Sequence, residues 1–213
     1  KGYRVNVDGM RHLLEAVRAR GHKPRLVFTS SIAVFGGDLP DPIPDDFHET
    51  PPNSYGAAKV ICEQFLADYT RRGFVDGVGL RFPGITVRPG KPNKAASGFY
   101  SSIIREPLAG QEAILPVADS KRNTHASPRA AIGFLIHAAT LDGAALGLRR
   151  NLTMPGVAIS FGGWTRMVPP PDVPGVNVAV GLGGGVSVGG GVSVGSGVTV
   201  GSGVTVGSGV TVG

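Results

Sequence analysis

The sequence predicts an α/β fold: a parallel sheet layered with helices over residues 1–157, then a low-complexity Gly/Val tail over 158–213. Three observations predict it. Helix and strand patterns alternate through the first part. The apolar run at 25–29 reads as a buried parallel strand. Charge then stops: residues 1–154 hold 34 of the 36 charged residues, while 155–213 hold only Arg166 and Asp172, with 18 Gly.

Each element has its own signal. Residues 3–20 place Val5, Met10, Leu13, Leu14 and Val17 at helical spacing, and Gly21 is a stop. Arg25-Leu-Val-Phe-Thr29 is the buried strand, leading into Ser30 and Ser31. Residues 36–53, rich in Gly, Pro and Asp, form a loop. Ser54 is an N-cap for a helix to Arg72 that carries Val60, Ile61, Phe65, Leu66 and Tyr69 on one side. A strand follows at 75–82, although its glycines weaken the pattern. A Pro/Gly/Lys loop covers 83–94, a helix 97–109, a short strand 112–117, a helix 128–141 and a strand 149–153. Sites in such sheets gather beyond the carboxyl ends of the strands, so Ser31 and Pro83–Ile85 should face one crevice.

The tail repeats a Gly-Val-Ser/Thr-Val-Gly-Gly/Ser hexad over 185–213. A β-solenoid is the alternative, but fewer than two coils of so Gly-rich a chain bury too little to offset their entropy. The tail is therefore read as disordered, with no function assigned.

Composition excludes several classes. One Cys among 213 residues cannot close a disulfide within the chain. No stretch approaches the roughly 18 apolar residues of a membrane span. The chain opens Lys-Gly-Tyr-Arg without an apolar leader, so cytoplasm is expected, and Cys62, set in an apolar helical pattern, fits buried packing in a reducing compartment. The net charge is +6, with a sequence pI of about 9.8. The basic residues are dispersed and not interleaved with aromatics, which describes a basic surface and not a nucleic-acid site. His12, His22, His48, His125 and His137 show no metal-ligand spacing.

The chemistry rests on Tyr55-Gly-Ala-Ala-Lys59. Residues i and i+4 share a helix face, and an ammonium beside a phenol favours the phenolate, which suits such a phenol to proton exchange near neutral pH. Thr29-Ser30-Ser31 ends a strand 24 residues before Tyr55 (31 to 55), where a hydroxyl can donate to a substrate oxygen. A helix-borne Tyr-x-x-x-Lys with a strand-end Ser supplies the parts of a hydride-transfer site. Each part also has a plainer reading, a half-buried ring or a serine turn.

In order and spacing, four stretches resemble the extended short-chain dehydrogenase/reductase family, also described as NAD-dependent epimerases/dehydratases. They are Asn6-Val-Asp-Gly-Met-Arg-His-Leu-Leu-Glu-Ala16, Val27-Phe-Thr-Ser-Ser-Ile-Ala-Val-Phe-Gly36, Tyr55-x-x-x-Lys59 and Arg81-Phe-Pro-Gly-Ile85. The resemblance implies a partial Rossmann-type sheet over 1–157, with Ser31, Tyr55 and Lys59 as the catalytic triad. It implies Asn6, Ser30, Tyr55, Lys59, Pro83 and Ile85 at the cofactor, which is NAD, with NADP left open. Ser31 and Tyr55 would also touch substrate. Three further stretches, Arg88–Asn93, Ser97-Gly-Phe99 and His125-Ala-Ser-Pro128, narrow the resemblance to members that oxidise a hydroxy acid such as D-erythronate to its 2-keto acid.

A sugar-acid anion calls for a cation. Arg88, Lys91, Arg105, Lys121, Arg122 and Arg129 are candidates, and Arg122 with His125 is the first choice. Two alternatives stay open. One is a nucleotide-sugar epimerase or dehydratase on the same scaffold. The other is an inactive fragment, because the strand, Gly-rich turn and helix that cradle a dinucleotide pyrophosphate are not in this sequence, nor is the acidic residue that selects NAD over NADP. The resemblance also implies a homodimer through the helix bearing Tyr55; no nucleic-acid or membrane partner is expected.

Overall fold

The structure is a computed structural model that describes residues 2–90, 95–163 and the short segments 178–182, 186–188, 199–201, 203–206 and 210–212. In chain order its elements begin with α1 (Gly9–Arg20), β1 (Arg25–Ser31), α2 (Ser54–Arg71), β2 (Asp76–Phe82), β3 (Gly84–Ile85) and α3 (Phe99–Leu108). They continue with β4 (Ala113–Leu115), β5 (Arg122–Ala126), α4 (Pro128–Thr140), β6 (Asn151–Thr153) and β7 (Val157–Ser160). Five short strands follow: β8 (Val178–Leu182), β9 (Val186–Val188), β10 (Thr199–Gly201), β11 (Gly203–Val206) and β12 (Val210–Val212). The chain divides into two compact units, Lys1–Pro83 with Arg129–Pro155, and Gly84–Pro128 with Gly156–Gly213.

The first unit is built on a three-stranded parallel sheet in the order β1-β2-β6. β1 and β2 run in full register from Arg25↔Asp76 to Ser31↔Phe82, and β2 pairs β6 from Gly79↔Asn151 to Arg81↔Thr153. Strand alternation sorts the side chains into two layers. Leu26 and Phe28 pack with Met10, Leu14, Cys62, Leu66 and Val75, toward α1 and α2. Val27, Val78, Leu80 and Phe82 pack with Phe134, Leu135 and Ala138 of α4. Helices thus cover both faces, as a parallel sheet requires.

The glycines that weaken the β2 pattern have a packing reason. A β-carbon at Gly77 would stand 2.5 Å from Thr70 Oγ1 and 2.6 Å from Leu66 Cδ1, so the bare backbone lets α2 lie close on the sheet. Cys62 sits in this core, 1% exposed, and its thiol donates to the Asn6 carbonyl at 3.3 Å. Burial pushes the thiol's pKa up, in keeping with a packing role.

The first predicted helix differs at its start: Arg4–Asp8 form a π turn ahead of α1. Gly21 ends α1 as expected, donating to the Val17 and Arg18 carbonyls. The predicted helix 97–109 begins as a 3₁₀ turn at Ala96–Gly98 before α3.

The second unit holds a sheet in the order β3-β5-β7, with β3 parallel and β7 antiparallel to β5. Its core is Ile103, Leu115 and Phe161, with Phe99 and Tyr100 packed against them. β5 has no counterpart in the sequence reading, because Arg-Asn-Thr-His-Ala lacks an apolar run. In the stretch expected to be tail, β7 pairs β5, β8 lies parallel to β4, and β10-β11-β12 form an antiparallel meander. The expectation of disorder there falls largely outside the described residues. Among the described residues, no helix is long and apolar enough to cross a membrane.

Candidate active site

Three sequence-predicted residues, Ser31, Tyr55 and Lys59, belong to the first unit. Ser31 ends β1 in extended conformation and caps the 3₁₀ turn Ile32–Val34, its Oγ accepting from the Ala33 amide at 3.1 Å. That contact uses a lone pair and leaves the hydroxyl proton to donate. Asn53 caps α2, its side chain accepting from the Gly56 amide at 2.9 Å, so Tyr55 lies in the helix's first turn. The N-cap is Asn53 where the sequence pointed to Ser54; either side chain can fill that role.

Tyr55 is half exposed. One turn on, Lys59 Nζ lies 5.5 Å from the Tyr55 ring centre and 4.8 Å from that of Phe28, and donates to the Thr29 carbonyl at 2.6 Å. The amine is thereby held at the end of β1. Burial pulls its pKa below the ordinary lysine range, while the nearby Glu63 carboxylate opposes that shift. Gly56 brings the two halves of the site together: a β-carbon there would lie 2.1 Å from the Ala33 carbonyl oxygen. Only glycine lets the first turn of α2 rest on the turn that Ser31 caps.

The register Ser31↔Phe82 places Ser31 and Pro83 at the carboxyl ends of neighbouring parallel strands, where the sequence reading put them. Ile85 falls in the second unit, on β3, opposite Ala126. Ser30 is 4% exposed and its hydroxyl donates to Glu63, so that hydroxyl is engaged with α2. Asn6 donates from its side chain to the Gly2 carbonyl at 2.9 Å.

The candidate anion-binding residues fare differently from one another. Arg88 donates to the Ser97 carbonyl, and Arg105 donates to the Arg88 carbonyl at 2.7 Å and to Glu106 at 2.5 Å, so both brace the second unit. Lys91 lies outside the described residues. Lys121, Arg122 and Arg129 are exposed. His125, 3% exposed, packs edge-on against Tyr100 with centroids 5.0 Å apart. Burial lowers its pKa to about 4, against a hydrogen bond with the Gly84 backbone. Its neutral ring belongs to an aromatic cluster with Tyr100 and Phe161.

The sequence reading missed a buried ionic cluster behind the site. Glu63, fully buried, accepts the Ser30 hydroxyl and faces Arg81 with both carboxylate oxygens, at 2.6–3.1 Å. Arg81 also pairs with Glu49 and lies over the Phe35 ring, 5.0 Å from its centre. Burial works against the Arg81 charge, but the hydrogen bonds and charges of Glu63 and Glu49 together outweigh it and its pKa stays raised. The available signal was a carboxylate four residues past Lys59, set between buried Cys62 and Leu66.

Residues 1–124 match the NAD-dependent epimerase/dehydratase family. The chain belongs to that family. A D-erythronate dehydrogenase of Cupriavidus necator is 52% identical over 162 residues, covering 76% of this chain and 50% of that protein. A D-erythronate dehydrogenase of Haemophilus influenzae is 44% identical over 159 residues, covering 75% of this chain and 50% of that protein. A solved nucleoside-diphosphate-sugar epimerase from Agrobacterium tumefaciens shares 62% identity with a TM-score of 0.71, covering 75% of this chain and 48% of that one. The chain thus spans about half the length of the relatives it matches. The relatives are named as dehydrogenases and epimerases, enzymes of a family defined by a nicotinamide dinucleotide.

Proposed function

We propose that this chain carries the proton-handling face of an NAD-dependent dehydrogenase that oxidises a hydroxy acid of the D-erythronate type to its 2-keto acid. The carrying observation is the pairing of Tyr55 and Lys59 in the first turns of α2, with the ammonium 5.5 Å from the phenol ring and anchored to the strand that Ser31 ends. The names of the relatives from C. necator and H. influenzae support the substrate class.

When bound, a nicotinamide accepts the hydride from the carbinol carbon. The residues present fit the nicotinamide end of such a cofactor: a half-exposed phenol and a half-buried amine lie one helical turn apart, the amine bonded to the C-terminal part of β1. Ser31 donates its hydroxyl proton to the substrate oxygen and orients it. Tyr55 takes the proton from that oxygen as the carbonyl forms. Lys59 supports the phenolate by its charge and offers hydrogen bonds to a ribose hydroxyl. Arg122, exposed, presents a fork suited to a carboxylate. Asn6, Ser30, Pro83 and Ile85 remain proposed cofactor contacts, as do NAD over NADP, a homodimer and a cytoplasmic location.

The test is production of NADH, read at 340 nm, from D-erythronate and NAD. Turnover supports the dehydrogenase. A second reading, nucleotide-sugar epimerisation, is favoured by the name of the 62% identical relative. It predicts interconversion of a UDP-sugar without net NADH.

A further inference from the structure

The buried ionic cluster around Glu63 takes no part in the mechanism above. It joins three elements within one unit. Ser30 is the penultimate residue of β1, Arg81 the penultimate residue of β2, and the two are register partners. Glu63 lies on α2 one turn beyond Lys59, as Lys59 lies one turn beyond Tyr55. Its carboxylate accepts from both strand ends at once. Glu49 brings the loop before α2 onto the same guanidinium, and Thr50 next to it bonds the Gly36 carbonyl at 2.6 Å.

We propose that Glu63 is a positioning residue: its carboxylate ties the carboxyl ends of β1 and β2 to α2, and so sets the spacing between Ser31 and the face bearing Tyr55 and Lys59. A pair of charges is an expensive way to hold a core, since apolar packing of equal volume stabilises as well or better. What the charges add is direction. The planar guanidinium and the carboxylate meet in a fixed geometry that apolar contacts do not impose. Ser30, which the cluster holds, follows directly on Thr29, whose carbonyl accepts from the Lys59 amine. Loosening Ser30 therefore loosens the acceptor that aims Lys59.

This inference rests on the dehydrogenase reading for its consequence in turnover, but not for its geometry, and the experiment separates the two. The 213-residue chain, its Glu63→Gln variant and its Ser30→Ala variant are reductively methylated with ¹³C-formaldehyde. The Lys59 methyl resonance, assigned with Lys59→Arg, is then followed by NMR. Ser30→Ala removes one hydroxyl and leaves the ion pair, so it serves if Glu63→Gln fails to fold. Both folded variants are expected to move the Lys59 resonance. Where the parent chain turns over, kcat should fall by ~10-fold or more while the KM for the hydroxy acid changes by less than ~2-fold, as expected for lost alignment. A Lys59 resonance unmoved in every folded variant overturns the proposal, even if stability drops. A parent chain that forms no NADH counts against the dehydrogenase reading alone, and the Lys59 resonance then decides the role of Glu63.

Discussion

Gly56 presses against Ala33 so closely that a β-carbon would lie 2.1 Å from the carbonyl oxygen. The residue after the candidate proton carrier is therefore the contact that seats its helix on the turn capped by Ser31.

Gly56→Ala should shift the first turn of α2 or open the Ile32–Val34 turn. Overpacking of this kind costs about 1–3 kcal/mol. Urea unfolding should show that loss. In a chain that turns over, kcat should drop more steeply than stability does, since Tyr55 moves with the turn.

Tyr55→Phe tests the proton carrier directly. The ring is 50% exposed, so losing its hydroxyl should change stability by no more than about 0.5 kcal/mol. NADH formation should vanish while NAD affinity, measured by calorimetry, stays near that of the parent chain. Retained turnover would remove Tyr55 from the chemistry.

Arg81→Met strands the Glu63 carboxylate in a fully buried position. Breaking a buried pair by removing one partner costs about 3–5 kcal/mol. The double variant Arg81→Met/Glu63→Leu should recover most of that loss, because no charge is left uncompensated in a fully buried position; Glu49, the other partner of Arg81, is partly exposed to water. A double variant as unstable as the single one would mean that packing around Phe35, and not charge, holds this region.

His125 makes stability depend on pH. Its pKa falls from an ordinary 6.5 to about 4 on folding, because burial disfavours the imidazolium. Its contribution is therefore fully present above pH 6.5, and is lost progressively as pH falls through the window down to 4, where the unfolded chain binds a proton that the folded chain does not. The full loss is about 3 kcal/mol. Urea midpoints between pH 7 and pH 4 should fall less steeply for His125→Gln than for the parent chain. Equal slopes would place the titration elsewhere.

Much of the first unit was legible because its signals are local. Apolar periodicity marked α1 and α2, the run Arg25–Thr29 marked β1, and Gly21 marked a helix end. The Tyr55/Lys59 pair was legible for the same reason, since helical geometry alone puts i and i+4 on one face. β5 escaped notice because a strand of Arg, Asn, Thr, His and Ala becomes one only through β3 and β7 on either side of it. The glycines of β2 weaken a strand pattern in sequence, but α2 lies on Gly77 and the Asn151 side chain of β6 fills the space at Gly79.

Read alone, the chain determined an α/β unit with a parallel strand leading into Ser31 and a helix opening at Ser54, because those features depend on neighbours within a few residues. Only the tertiary structure decided that Ser30 turns inward, that Glu63 and Arg81 meet across 18 residues of chain, and that His125 is buried among rings. A carboxylate or an imidazole looks the same in sequence whether water or protein surrounds it, and its charge state and partners are set by desolvation and by contacts that exist only once the strands are side by side.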